Sequence, residues 1–117
     1  MSLQSDWIVK LHQTFLSQQH VCLVFEYLPG MNLFELMPML TEKVRKNAVV
    51  FYSAEVLTAL EFLHKRDIIF RDLKPDNVML CAQGHVKLID FGFAKHLTER
   101  TFTNCGTIGY TAPEVLQ

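Results

Sequence analysis

No stretch of this chain is apolar for long enough to cross a bilayer. The longest uninterrupted apolar run in its main helical region is Ala48-Val49-Val50-Phe51-Tyr52, against the roughly 20 residues a spanning helix requires. The opening Met1-Ser2-Leu3-Gln4-Ser5-Asp6 has neither the basic start nor the apolar core of a secretory signal. A cytoplasmic setting, with access to the nucleus, is therefore expected. Cysteine is sparse: Cys22, Cys81 and Cys105 are too widely spaced for a disulfide framework or a zinc site. His12, His20, His85 and His96 likewise lack metal-ligand spacing. Charge of one sign is never concentrated, with 11 basic and 12 acidic residues and a net charge of −1, so no nucleic-acid or membrane surface is expected. Glycine is scarce where it would matter for phosphate binding. Ahead of Asp90 only Gly30 and Gly84 occur, which excludes a glycine-rich phosphate-cradling loop in that part.

What is present suits a small globular α+β domain: 117 residues, half of them hydrophobic and 20% charged. Residues 8–15 and 21–27 are two strand-like runs joined by the polar Ser17-Gln18-Gln19-His20. Leu28-Pro29-Gly30 then breaks the pattern. Residues 32–37 suit a short helix stopped by Pro38. Thr41 is an N-cap candidate for a long helix from Glu42 to about His64, with Val49, Val56, Leu60 and Leu63 on one stripe and Phe51, Leu57 and Phe62 widening it. At 1.5 Å per residue that helix is roughly 30 Å long. It ends in His64-Lys65-Arg66-Asp67, whose positive side chains suit a helix C-terminus better than a separate binding site.

The chemistry is concentrated in residues 68–92. Val78-Met79-Leu80 and Val86-Lys87-Leu88-Ile89 read as a hairpin around Cys81-Ala82-Gln83-Gly84-His85. A two-residue turn at Gln83-Gly84 would set Met79 opposite Leu88 and Asn77 opposite Asp90. Pro75 breaks the strand pattern just before, so residues 71–76 should loop over the open end of the hairpin. Asp72, Lys74, Asn77 and Asp90 then converge. A few hard oxygen donors that leave room for water and phosphate suit Mg²⁺ better than a dedicated cage, so Asn77 and Asp90 read as Mg-nucleotide ligands. Asp72, an unpaired loop carboxylate, can orient an attacking hydroxyl and accept its proton. Lys74 can neutralise charge on a transferring phosphoryl group.

Arg71-Asp72-Leu73-Lys74-Pro75-Asp76-Asn77, then Asp90-Phe91-Gly92, then Ala112-Pro113-Glu114 together resemble the catalytic loop, metal-binding motif and activation-segment end of eukaryotic protein kinases. Lys74 two residues after Asp72 follows the serine/threonine pattern. Asp90-Phe91-Gly92-Phe93-Ala94-Lys95 and the segment 100–107 look most like the AGC group, near the cyclic-nucleotide-dependent kinases. The resemblance implies small-lobe strands in residues 1–27, a hinge in 28–32 and a large-lobe portion in 33–117. It implies ATP and Mg²⁺ as cofactors, with the Glu26 and Leu28 backbone at the adenine edge, Phe25 and Met79 lining the pocket, and Lys74, Asn77 and Asp90 near the phosphates. A plain core role for Phe25 fits its sequence equally well. The implied partners are a protein carrying Ser or Thr and an upstream activating kinase. That kinase would phosphorylate Thr103, whose phosphate would meet Arg71 and Lys95. Thr107 would touch both Asp72 and the substrate site.

The chain also departs from the pattern. Phe70 stands where the family has His or Tyr, and can still stack with Phe91 and Leu11. Asn32 takes the place of an acidic residue near the ribose and a basic substrate side chain, which removes the basis for an arginine-rich substrate preference. Ile108-Gly109 replaces Pro-Glu after Thr107. Lys10 lies too close to Glu26 to be the phosphate-holding strand lysine. The expectation is a partial kinase domain, binding Mg-ATP weakly and exposing apolar surface. The alternatives are a non-catalytic, kinase-derived interaction fragment and a small-molecule phosphotransferase.

Overall fold

The computed structural model describes residues 5–97 and 105–116. Its elements follow in order as β1 (Leu11–Ser17), β2 (His20–Phe25), α1 (Leu33–Met39), α2 (Glu42–His64), β3 (Ile68–Ile69), a 3₁₀ turn (Pro75–Asn77), β4 (Val78–Leu80), β5 (Val86–Leu88), β6 (Lys95–His96) and a second 3₁₀ turn (Pro113–Val115). The strands form three antiparallel pairs, β1–β2, β3–β6 and β4–β5. The α+β architecture expected from the sequence is observed.

The first apolar run divides between two sheets. Only from Leu11 does it pair with β2; the preceding residues lie along β5, where Leu88 N–H donates to Trp7 O at 2.9 Å and Val9 N–H to Leu88 O at 3.0 Å. Ile8 is buried there, so burial beneath the hairpin wins over extension of β1. Helix α1 begins at the Asn32 cap, whose Oδ1 accepts Glu35 N–H at 2.9 Å. It runs through Pro38 to Met39 instead of stopping before it. A proline in the last turn forfeits a single donor, and the helix closes one residue later.

Helix α2 has the expected bounds, but Thr41 makes no side-chain cap bond. Arg45 reaches back instead, its Nη2 donating to Leu40 O at 2.8 Å. At the other end Arg66 Nη1 donates to Phe62 O at 2.9 Å and the guanidinium lies 3.7 Å from the Phe62 ring centroid, so this basic end serves as a cap. Ala59 and Leu63 carry the helix into a core shared with Ile8, Phe70, Val78, Val86 and Leu88. The expected stripe is only partly used. Val56 and Leu60 flank the core, whereas Val49, Phe51 and Leu57 are exposed. At about 100° per residue Leu57 lies nearly opposite the buried Ala59 on the helix, where no described element covers it. Buried Glu55 staples α2 to the hairpin: Oε2 accepts Val86 N–H at 2.9 Å and Oε1 meets His85 Nδ1 at 2.5 Å.

The hairpin register differs by one residue from the expected one. Val78 opposes Leu88, Met79 opposes Lys87 and Leu80 opposes Val86, and Ile89 N–H, not Asp90, bonds Asn77 O at 3.0 Å. The loop is three residues long, Ala82-Gln83-Gly84, closed by Cys81 N–H to His85 O at 2.8 Å, with Gly84 in the left-handed region at φ +84°. A type I turn followed by such a glycine is the usual three-residue solution. The expected register would have turned Lys87 onto the core face beside Leu80, so burial of Val86 and Leu88 selects the observed one.

Beyond β2 the linker lies against β4, with Leu80 N–H donating to Met31 O at 3.0 Å and Asn32 bridging Met79. Gly30 permits this approach: a Cβ there would stand 2.5 Å from Leu80 O and 2.7 Å from Leu80 Cβ. Gly30→Ala must lift the linker off β4, and a stability loss of about 1–3 kcal/mol, read as a lower urea midpoint, is expected.

Candidate active site

The loop over the open end of β4–β5 is fixed at both ends. Phe70 is buried and meets Phe91 edge-on, centroids 5.0 Å apart, which joins the residue before Arg71 to the residue after Asp90. Leu11, by contrast, is half exposed in β1. Arg71 takes φ +67° and its Nε donates to Phe93 O at 2.6 Å. Asp90 also takes a positive φ, +60°, and its Oδ1 accepts Gly92 N–H at 3.1 Å. Two non-glycine residues in the left-handed region on either side of one loop mark strain held by its surroundings.

Between them lies Asp72, 5% exposed. Its Oδ1 accepts the Thr107 hydroxyl at 2.6 Å, and its Oδ2 accepts Asn77 Nδ2 at 3.0 Å. The same Asn77 amide donates to Asp72 O at 2.9 Å. Lys74 Nζ lies 3.3 Å from Asp72 Oδ2 and donates to Thr107 Oγ1 at 2.7 Å. Asp72, Lys74, Asn77 and Thr107 thus form one closed network, although Thr107 is thirty-five residues from Asp72 in sequence. Asp90 is exposed and sits next to Ile89, the residue bonded to Asn77. Among the described residues no group of three or more His, Cys, Asp or Glu gathers as a metal cage. Since the Asn77 NH₂ is engaged by Asp72, its carbonyl oxygen remains as the acceptor a cation could use. An amide oxygen and a carboxylate such as that of Asp90 are the hard donors that could hold Mg²⁺ while leaving room for phosphate and water.

Burial alone would raise the Asp72 carboxyl, but the hydrogen bonds from Thr107, Lys74 and Asn77 and the Lys74 charge hold it below the ordinary aspartate value of 3.8. Because the folded value is the lower one, this ionisation stabilises the fold fully above the unfolded value, and that contribution is lost as pH falls through the folded value. Thr107→Val is expected to raise the Asp72 pKa and shorten the acid end of the stability plateau, checked by carboxyl NMR titration and by unfolding midpoints against pH.

The remaining expected positions are more scattered. Leu28 is buried and Phe25 half exposed, so Phe25 is not a plain core aromatic among the described residues. Met79 is partly buried on β4 and bridged to Asn32, whose own side chain is occupied in capping α1. Lys10 is exposed, exchanging bonds with Glu26. Lys95 lies on β6 opposite Ile69, and Thr103 falls outside the described residues. Nothing in the sequence singles out Lys87, yet its Nζ is 2.6 Å from Glu26 Oε1. A lone lysine between two buried aliphatics was the available signal, but strand alternation alone would send it to water.

The family described as "Protein kinase domain" matches residues 1–117. The chain is 46% identical over 116 residues to a cAMP-dependent protein kinase catalytic subunit of Dictyostelium discoideum, covering 99% of this chain and 18% of that protein. It is 43% identical over 111 residues to the human cAMP-dependent protein kinase catalytic subunit PRKX, covering 95% of this chain and 31% of the relative. With cAMP-dependent protein kinase type 3 of Saccharomyces cerevisiae the identity is 46% over 110 residues, covering 94% and 27% respectively. The chain therefore spans between about a fifth and a third of the length of these relatives. With a family match over its whole length, and Asp72, Lys74, Asn77 and Thr107 joined in one network, this chain belongs to the protein kinase family, with its similarity to the AGC group.

Proposed function

We propose that this chain carries the catalytic half of a serine/threonine protein kinase, which transfers the γ-phosphoryl group of Mg-ATP to a protein hydroxyl. The observation that carries the reading is the buried Asp72 carboxylate, aimed by Asn77 and accepting the Thr107 hydroxyl, with Lys74 against both. In the step, the substrate hydroxyl oxygen bonds to the γ-phosphorus as the bond to the bridging oxygen of ADP breaks, and the hydroxyl proton passes to Asp72 or onward to solvent. With its pKa held low, Asp72 stays ionised at neutral pH and orients the hydroxyl, taking the proton late. Lys74 offsets charge on the moving phosphoryl group. When bound at Asn77 and Asp90, Mg²⁺ supplies positive charge against the phosphate oxygens.

On this reading, residues 1–27 are small-lobe strands, 28–32 the hinge at the adenine edge, and 33–117 large lobe. Thr103 is the site for an upstream kinase, with Arg71 and Lys95 meeting its phosphate, and the setting is cytoplasmic. Among the described residues no helix is long and apolar enough to cross a membrane. Asn32, engaged as a helix cap, offers no carboxylate to a basic substrate side chain.

The chain has only Gly30 and Gly84 ahead of Asp90, so weak Mg-ATP binding and slow transfer are expected. The test is single-turnover phosphorylation of Ser, Thr and Tyr peptides with the chain in excess. Slow labelling of Ser and Thr only, abolished by chelation, supports the reading; absence of nucleotide binding overturns it. The exposed Val50, Leu57 and Leu16 favour a second reading, a non-catalytic interaction fragment. Transfer that depends on Asp72 excludes it.

A further inference from the structure

Val86 and Leu88 are fully buried, so alternation turns Lys87 to the opposite face of the hairpin, the one it shares with its cross-strand partner Met79. A lysine there would ordinarily extend into water. Here its side chain is 16% exposed and its Nζ lies 2.6 Å from Glu26 Oε1, on a side chain 24% exposed. The same oxygen accepts Lys10 N–H at 2.8 Å, while Glu26 N–H donates to Lys10 O at 2.9 Å. Three segments are thus joined at one carboxylate: the strand lead-in at Lys10, the residue after β2, and the middle of β5. Burial would raise the Glu26 carboxyl; Lys87, the Lys10 N–H and the more distant His12 together hold it below the ordinary glutamate value.

We propose that Glu26 and Lys87 are a positioning pair for the nucleotide cleft, tying the 26–28 backbone to the middle of β5 and hence fixing that edge of the slot for a planar purine. This rests on the nucleotide reading above. Glu26 begins that backbone edge and buried Leu28 ends it, while Met79 shares a face with Lys87. The Lys87 ammonium is held at 2.6 Å by the carboxylate that opens the 26–28 edge, so its first effect is on the placing of that edge. The edge meets the base, so adenosine and Mg-ATP should respond alike.

The experiment titrates adenosine and Mg-ATP into the 117-residue chain and its variants E26Q, K87M, E26Q/K87M and K87R, and follows hydrogen exchange at the Lys10 and Glu26 amides, which are bonded across this junction. Each single loss of the charged contact is expected to weaken both ligands about tenfold, the scale of one charge-assisted hydrogen bond. The double variant should lose no more than either single one, and K87R should recover most of the affinity. Exchange at Lys10 and Glu26 should quicken in E26Q and K87M and slow again in K87R. Unchanged affinities, single losses that multiply in the double variant, K87R as weak as K87M, or an effect on Mg-ATP without one on adenosine would each overturn the proposal. If the wild-type chain binds neither ligand, the nucleotide reading fails by itself. Exchange then decides the pair: quickened in both variants and reversed by K87R it stands as a clamp, and unchanged it falls.

Discussion

Asp72→Asn is expected to slow phosphoryl transfer by about 10²- to 10⁴-fold, the usual worth of a positioned proton acceptor, while Mg-ATP affinity changes little. The reason lies in what surrounds the carboxylate. Asn77 Nδ2 and Lys74 Nζ both point hydrogens at Asp72 Oδ2, and the Thr107 hydroxyl donates to Oδ1. An amide can satisfy only one side of that arrangement. With its NH₂ toward Asn77 and Lys74, donor faces donor; turned over, it can donate to the second lone pair of Thr107 Oγ1, but the Thr107 hydroxyl hydrogen then loses Oδ1 as its acceptor. Either way a hydrogen bond is lost beside a residue 5% exposed, and a loss of about 1–3 kcal/mol in stability should accompany the loss of rate. Rapid-quench single-turnover measurement separates the two effects, because nucleotide binding and the unfolding midpoint are read independently on the same variant. A variant that keeps wild-type transfer would exclude Asp72 as the group that orients the hydroxyl.

How far the sequence alone carried these inferences depends on the range of the interaction. The bounds of α2 were legible because its start and its basic end are local signals. The proximity of Asp72, Lys74 and Asn77 was legible because all three lie on one loop. The link to Thr107 came from family resemblance, since no local spacing joins residues 72 and 107. The hairpin register was missed because a glycine suits either the second corner of a two-residue turn or the last position of a three-residue one, and only burial of Val86 and Leu88 decides between them. The division of residues 8–15 between two sheets has the same origin. An apolar run states that it will be buried, not against what. Val49, Phe51 and Leu57 show the converse limit, since apolar character in α2 does not say which face the described chain covers. Glu26–Lys87 and Glu55–His85 were invisible because their members stand sixty-one and thirty residues apart.

Asn77 allows cation binding to be separated from positioning, because its two amide ends serve different partners. Asn77→Ala removes the donor held to Asp72 O and Oδ2 at 2.9 and 3.0 Å, together with the oxygen left for Mg²⁺. Freed by about 1 Å, Asp72 should lose on the order of 10²-fold in transfer rate at every pH, and the Mg²⁺ requirement should rise. Asn77→Asp keeps an oxygen for the cation but sets a second carboxylate against Asp72 Oδ2 in a site that is 5% exposed at each residue. Two such groups cannot both ionise freely, so the pair retains a proton to higher pH. The depression of Asp72 seen in the native network is thereby reversed in sign. The acid limb expected from Asp72, whose carboxyl is held below its ordinary value in the native network, should therefore move to higher pH in Asn77→Asp, with transfer recovering as pH is raised. The Mg²⁺ requirement of Asn77→Asp should stay nearer that of the wild type than that of Asn77→Ala. A pH–rate profile at several Mg²⁺ concentrations distinguishes the two variants. If both show the same flat loss and the same Mg²⁺ dependence, Asn77 acts only as a structural support for the loop and the cation is held elsewhere.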